Sequence, residues 1–149
     1  MADTTRNLMT CRPFNLKEMK IRHIFAKILM LLYIVTVCYL CFAKFPQNND
    51  IPRTLFGFPS DKVVHFLMFF PFPILAYFAF HNARGKWYSM VGFLLIVAAL
   101  GMLMSWCTEE VQGMLVYRCK DLDDFRADAA GIGLGALLIL MYSAVSRKW

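Results

Sequence analysis

The chain has 149 residues, of which 59% are apolar and only 17% are charged. An average globular domain carries about 25% charged residues, so this composition excludes an ordinary soluble domain. The formal net charge of +6 does not indicate a nucleic-acid-binding protein, because no basic stripe is interleaved with aromatic residues.

Residues 1–23 form a polar, basic segment ahead of the first apolar run. We expect this segment to lie in the cytoplasm as a topology signal, although anionic lipid would also attract its basic side chains. Ten of the sixteen lysine and arginine residues fall on the same side of the predicted topology. Because positive residues favour the cytoplasmic side of a membrane, both termini are predicted to be cytoplasmic.

Four apolar runs follow, at residues 28–43, 63–80, 87–107 and 129–146. A helix needs about 17–25 residues to cross the hydrocarbon core, and each run is close to that length. The sequence therefore predicts an all-α integral membrane bundle of four transmembrane helices, forming one domain over residues 24–146. The first run is expected to stay as a signal anchor, with a cleaved signal peptide as the alternative.

The second helix follows a connection rich in proline, glycine and asparagine, over residues 44–62. Ser60 or Asp61 is expected to cap this helix by accepting from its free N–H groups. Pro71 and Pro73 lie near its middle and predict a break, which membrane proteins tolerate when neighbouring groups support the backbone there.

The third and fourth helices carry polar residues at the ends that face each other across the last connection. Glu109 and Gln112 are three residues apart on the third helix and share a face. On the fourth helix, Gly131 and Gly135 form a small-xxx-small pair that predicts close approach of another helix. Cys107 and Cys119 flank the connection, and a disulfide between them is left open.

Acidic residues are concentrated in the first and third connections, which hold or border eight of the ten. In a four-span protein these two connections share one side of the membrane, so a polar site is predicted on the outer face. The residues predicted to form it are Asp61, Lys62, His65, Glu109, Gln112, Arg118, Asp124 and Asp128.

Ionisable residues near a bilayer are expensive to bury and indicate a functional site unless they pair structurally. We expect Asp128 and His65 to turn into the bundle, with Arg118 or Arg126 as the cationic partner. Nearby loop charges, including Asp121, are expected to be solvated. A structural ion-pair cluster that fixes helix register is the alternative interpretation. No cofactor is assigned, and a divalent metal on Asp124, Asp128, Glu109 and His65 is a variant left open.

The order of these motifs resembles the VanZ-like family of small multi-pass membrane proteins. Asp61-Lys62-x-x-His65, Glu109-x-x-Gln112, Arg118 and an Asp124-x-x-x-Asp128-x-x-Gly131 helix opening match the family pattern over about residues 25–145. Asp128 stands where the family usually has asparagine, which adds a negative charge to the site.

The resemblance implies an envelope protein of the bacterial cytoplasmic membrane, in a family whose namesake raises resistance to teicoplanin. The favoured hypothesis is non-enzymatic binding of a lipid headgroup, a lipid-linked cell-wall precursor or a partner protein at the outward-facing pocket. One alternative is a membrane-embedded enzyme acting on a lipid phosphate or ester, with His65 as acid or base and Glu109 or Asp124 as its partner. The other is a transporter or flippase component, which would need a homo-oligomer.

Overall fold

The computed structural model describes residues 16–42, 54–55, 57–81, 87–115 and 121–146. Nearly all of them are helical, which confirms the all-α prediction. The helices are α1 (Leu16–Phe42), α2 (Ser60–Phe69), α3 (Pro71–Phe80), α4 (Trp87–Gly113) and α5 (Leu122–Ser146). Within these ranges the only strands are β1 (Thr54–Leu55) and β2 (Phe58–Pro59), an antiparallel pair that turns at Gly57, whose φ is 84°.

Four helical segments are long and apolar enough to cross a membrane, and α2 and α3 together make one of them. The spans are Lys20–Phe42, Ser60–Phe80, Trp87–Gly113 and Leu122–Ser146. Large apolar side chains such as Leu95 and Leu103 point outward and are more than half exposed. Such an exterior suits hydrocarbon rather than water, so the predicted four-span bundle is confirmed. The side on which each terminus lies stays a prediction.

The second span is interrupted where the two prolines lie. Phe70 separates α2 from α3 and keeps helical angles, with φ −57° and ψ −42°, and its N–H donates to the Phe66 carbonyl at 3.0 Å. The Tyr33 hydroxyl of α1 donates to the Met68 carbonyl beside this break. A neighbouring helix thus donates a hydrogen bond to the backbone beside the break.

The predicted cap of α2 was wrong. Pro59 occupies the N-cap position, and no side chain there accepts a hydrogen bond from the helix. The helix starts at Ser60, so Ser60 and Asp61 are already inside its first turn. Asp61 can still complement the positive end of the helix dipole from that position.

The glycines of α5 allow its backbone to touch the backbone of the second span. A Cβ added at Gly131 would lie 2.5 Å from the Phe66 carbonyl oxygen, and one added at Gly135 would meet the Phe70 carbonyl oxygen. Both positions therefore require glycine, and the predicted close approach is confirmed. Gly133, on another face of α5, has nothing within 4 Å of an added Cβ.

Apolar residues fill the middle of the bundle, and most of the buried polar residues lie at one end. Phe72 of α3 packs with Met30 of α1 and Val97 of α4, and Phe69 of α2 packs with Ile132 of α5. Since α2 begins, α4 ends and α5 begins at the same end, their polar residues are brought together there.

Candidate functional site

Seven polar residues from α2, α4 and the start of α5 meet at this end of the bundle. We call them the polar cluster, and they are Lys62, His65, Ser105, Glu109, Asp121, Asp124 and Asp128. Five of the seven are buried, the exceptions being Lys62 and Asp121, which are partly exposed. Burying this many ionisable side chains is costly unless they pair or bind a ligand.

Asp128 is the deepest member and orients the histidine. It is 0% exposed, and its Oδ1 lies 3.1 Å from His65 Nδ1 while its Oδ2 accepts from the Ser105 hydroxyl at 2.6 Å. Both carboxylate oxygens of Asp128 are thus engaged. Because Nδ1 is held by Asp128, His65 presents Nε2 toward the rest of the cluster.

Lys62 is the cation of the cluster. Its ammonium nitrogen lies 2.7 Å from Asp121 Oδ2 and 3.0 Å from Asp124 Oδ1. Asp61 lies farther away, with its nearest oxygen 3.9 Å from the same nitrogen. Its side chain is 60% exposed, so Asp61 shares a helix face with His65 but stands outside the buried part.

The sequence prediction of Arg126 as the cationic partner was wrong. Arg126 instead pairs with Asp123 at 2.7 Å, with both side chains more than half exposed. The physical reason is helix geometry, because a residue two positions from both Asp124 and Asp128 points to the opposite side of α5. Arg118, the other predicted partner, lies outside the described residues.

Glu109 is buried with one oxygen unsatisfied. It is 2% exposed, and its Oε2 accepts from the Asp121 backbone N–H at 3.3 Å. Its Oε1 is buried and has no hydrogen-bond partner among the described residues. An unpaired buried carboxylate oxygen is costly, so this atom needs an explanation.

Donor atoms of three buried residues converge on one point. One ligand atom each from His65, Glu109 and Asp124 lie within 4.8 Å of one another, and His65 Nε2 is 3.6 Å from Asp124 Oδ2. That separation is too long for a good hydrogen bond. The three side chains therefore face each other without bonding each other.

Gln112 joins two helices and does not belong to the polar cluster. It is 1% exposed, on the same buried face as Glu109 as predicted, and its side-chain nitrogen donates to the Cys41 carbonyl at 3.0 Å. Since Cys41 lies in the last turn of α1, this bond ties α1 to α4 and satisfies a helix-end carbonyl.

Sequence reasoning missed Asp121, which it placed among the solvated loop charges. Asp121 stands directly before α5, and its Oδ1 accepts from the Asp123 N–H at 2.9 Å, as a helix-capping aspartate does. Its hydrogen bond from Lys62 holds the pKa of the Asp121 carboxyl below its ordinary value. The preference for aspartate immediately before a helix was the signal that could have found it.

Residues 30–143 match the family described as VanZ/LLP1. The chain belongs to this family. The matched range contains every residue of the polar cluster, so the suspected VanZ-like resemblance is confirmed. Together with the four spans, membership makes this VanZ/LLP1 chain a multi-pass membrane protein.

An uncharacterised protein of the fission yeast Schizosaccharomyces pombe is similar over 83 residues, with 35% identity. The matched stretch covers 56% of this chain and 48% of the yeast protein, so the chain spans about half the length of that relative. No solved structure matches the chain. A bacterial inner-membrane location stays a prediction, since this relative is from a yeast.

Proposed function

We propose that this VanZ/LLP1 protein binds the phosphate-containing headgroup of a membrane lipid at the rim of the polar cluster. The rim consists of Asp61, Lys62 and Asp121, the partly or largely exposed charges over the buried members. It stands where three of the spans end, which is the level of lipid headgroups. The observation that carries the proposal is the coordination of Lys62.

The Lys62 ammonium has donor capacity left for a phosphate. An ammonium group has three N–H donors, and Lys62 gives one to Asp121 and one to Asp124. Its side chain is 23% exposed, so the remaining donor is accessible from the bundle end. Asp61 and Asp121 beside it favour a headgroup that also carries an ammonium, such as ethanolamine phosphate, because like charges would repel a purely anionic one.

An apolar groove beside the cluster supports a lipid rather than a free phosphate compound. The groove lies between α1 and α2 and has a volume of about 280 Å³. Val64, which directly precedes His65, is part of its wall. An acyl chain in this groove would lie along α2, the helix that carries Lys62 in its first turn. The groove is lined by Tyr33, Thr36, Val37, Leu40, Val64, Leu67 and Met68.

A glycerophospholipid and a lipid-linked cell-wall precursor share the phosphate chemistry that Lys62 would recognise. The similarity to a yeast protein favours the glycerophospholipid, because yeasts make no peptidoglycan. The two sources are separated by testing phosphatidylethanolamine, phosphatidylglycerol and a polyprenyl phosphate in parallel. Increased teicoplanin resistance of a bacterium expressing the protein would favour the precursor.

The test is lipid retention by the purified full chain, measured by mass spectrometry after washing with mild detergent. Lys62→Ala should lose the retained headgroup class, whereas Arg126→Ala, with the same change of charge at an exposed site, should keep it. Equal retention by Lys62→Ala and Arg126→Ala would contradict the proposal.

A second candidate, hydrolysis of a lipid phosphate or ester, is favoured by the Asp128–His65 pair. A carboxylate on Nδ1 with Nε2 directed toward the other cluster residues is the arrangement of a general acid or base. Ser105 is not arranged as a nucleophile, since its hydroxyl donates to Asp128 and not to His65. Release of phosphate or fatty acid from labelled lipid by the wild type but not by His65→Gln would support this candidate.

A further inference from the structure

We infer that His65 Nε2, Glu109 Oε1 and Asp124 Oδ2 form a binding site for one divalent transition-metal ion. The inference goes beyond the proposed function, since the ion would bind with or without a lipid. It develops the divalent-metal site that the sequence analysis left open. Asp128 is no longer a metal ligand in this version of the site. The site lies at the convergence of α2, α4 and α5, below the rim that holds Lys62.

The three ligand atoms are available, and none has a good hydrogen bond. Glu109 Oε1 is buried and unpartnered among the described residues, while its Oε2 faces the Asp121 N–H. Asp124 uses Oδ1 for Lys62 and leaves Oδ2 toward the histidine at 3.6 Å. One imidazole and two carboxylates within 4.8 Å of one another are spaced as ligands around a single ion, needing only small movements.

Asp128 and Ser105 act as positioning residues for the histidine ligand. A metal-binding histidine usually gives its other ring N–H to a carboxylate, which fixes the tautomer and the ring plane. Here Asp128 takes the Nδ1 side at 3.1 Å and is itself held by the Ser105 hydroxyl at 2.6 Å. With Nδ1 protonated, Nε2 has its lone pair free to bind a metal.

The charge of the cluster also favours a bound cation. Glu109, Asp121, Asp124 and Asp128 face Lys62 and His65, so carboxylates are in excess among the described residues. A divalent ion would offset this excess in a buried place where unpaired charge is costly. One nitrogen and two oxygen ligands suit Zn²⁺, Mn²⁺, Fe²⁺ or Co²⁺ better than Cu⁺, which prefers sulfur.

The alternative is a metal-free network in which protonated His65 pairs with both aspartates. The 3.6 Å gap to Asp124 disfavours it, because such a pair should close to about 2.7–3.2 Å. It also leaves Glu109 Oε1 unexplained. A network of this kind would bind no stoichiometric metal, so direct measurement separates the two.

The experiment uses the full chain in lipid-depleted mild detergent, treated with a chelator and then titrated with Zn²⁺, Mn²⁺ or Co²⁺. We expect about one ion per chain for the wild type, visible absorption bands with Co²⁺, and a higher melting temperature with saturating metal. Glu109→Gln and Asp124→Asn should lose stoichiometric binding. Asp123→Asn, which removes an exposed acid one position away, should bind as the wild type does.

Asp128→Asn adds a graded test, since removal of a carboxylate behind a metal-bound histidine weakens affinity about 10–100-fold without abolishing binding. The wild-type titration itself needs no variant to fold. Less than about a tenth of an ion per chain with each metal, or wild-type affinity in both Glu109→Gln and Asp124→Asn, would overturn the inference. Two measurements separate this inference from the lipid proposal. Lipid retention by the chelated protein tests the lipid proposal without metal, and metal binding by Lys62→Ala tests the metal site without lipid retention.

Discussion

Replacement of Gly131 by alanine tests whether backbone contact between α5 and α2 holds the cluster together. The added Cβ would lie 2.5 Å from the Phe66 carbonyl oxygen and 3.0 Å from the Phe70 nitrogen. Both neighbours are backbone atoms, so neither can turn aside as a flexible side chain can. Overpacking of this kind costs about 1–3 kcal/mol, because the helices must separate or shift.

Gly133→Ala is the matched control, on the same helix with nothing within 4 Å of the new Cβ. Both variants gain the same helix propensity, about 1 kcal/mol for glycine to alanine, so the difference between them isolates the clash. Unfolding in mixed micelles, followed by circular dichroism as SDS is raised, should show Gly131→Ala less stable than Gly133→Ala by about 1–3 kcal/mol. Equal stability of the two variants would refute the close backbone contact.

Two further predictions concern parts of the bundle away from the cluster. Gln112→Leu should lower the free energy of unfolding by about 0.5–1.5 kcal/mol in the same assay, because the Cys41 carbonyl loses this donor; an unchanged value would contradict the bond. Burial lowers the pKa of His81, so its unfolded state binds more protons, and stability should fall as the pH drops below about 6.5. His81→Phe, which keeps the ring against Tyr77, should show a weaker loss of melting temperature between pH 7 and pH 5.

The helices and their glycine face could be predicted from the sequence because membrane insertion and close packing leave strong local patterns. Gly131 and Gly135 fall on the stripe that also carries Asp124 and Asp128, and all four are buried as this spacing indicates. Such periodicity predicts which side of a helix packs against neighbouring helices. It does not predict how far along the helix that packing extends.

Pairing within the site could not be predicted for that reason. Asp61 and His65 share a face of α2, yet only His65 is buried, because the neighbouring helices do not cover Asp61 in the first turn of α2. The choice of Lys62 over Arg126 depends on how α2 sits against α5, which no local pattern in either segment encodes. Asp121 was assigned to the loop because its position before α5 becomes clear only once the start of that helix is known.

The contact of Gly131 with Phe66 has a consequence for how ligand preference would change as the family diverges. This contact sets the distance between α2 and α5 next to His65 and Asp128. The two helices therefore form a rigid pair, and the distance between them has little freedom to change. At Gly101, α4 meets its neighbours through the side chains of Ile132 and Phe72, which can repack. We therefore expect substitutions that retune selectivity to accumulate on α4, around Glu109, and the spacing of the other two helices to stay the same.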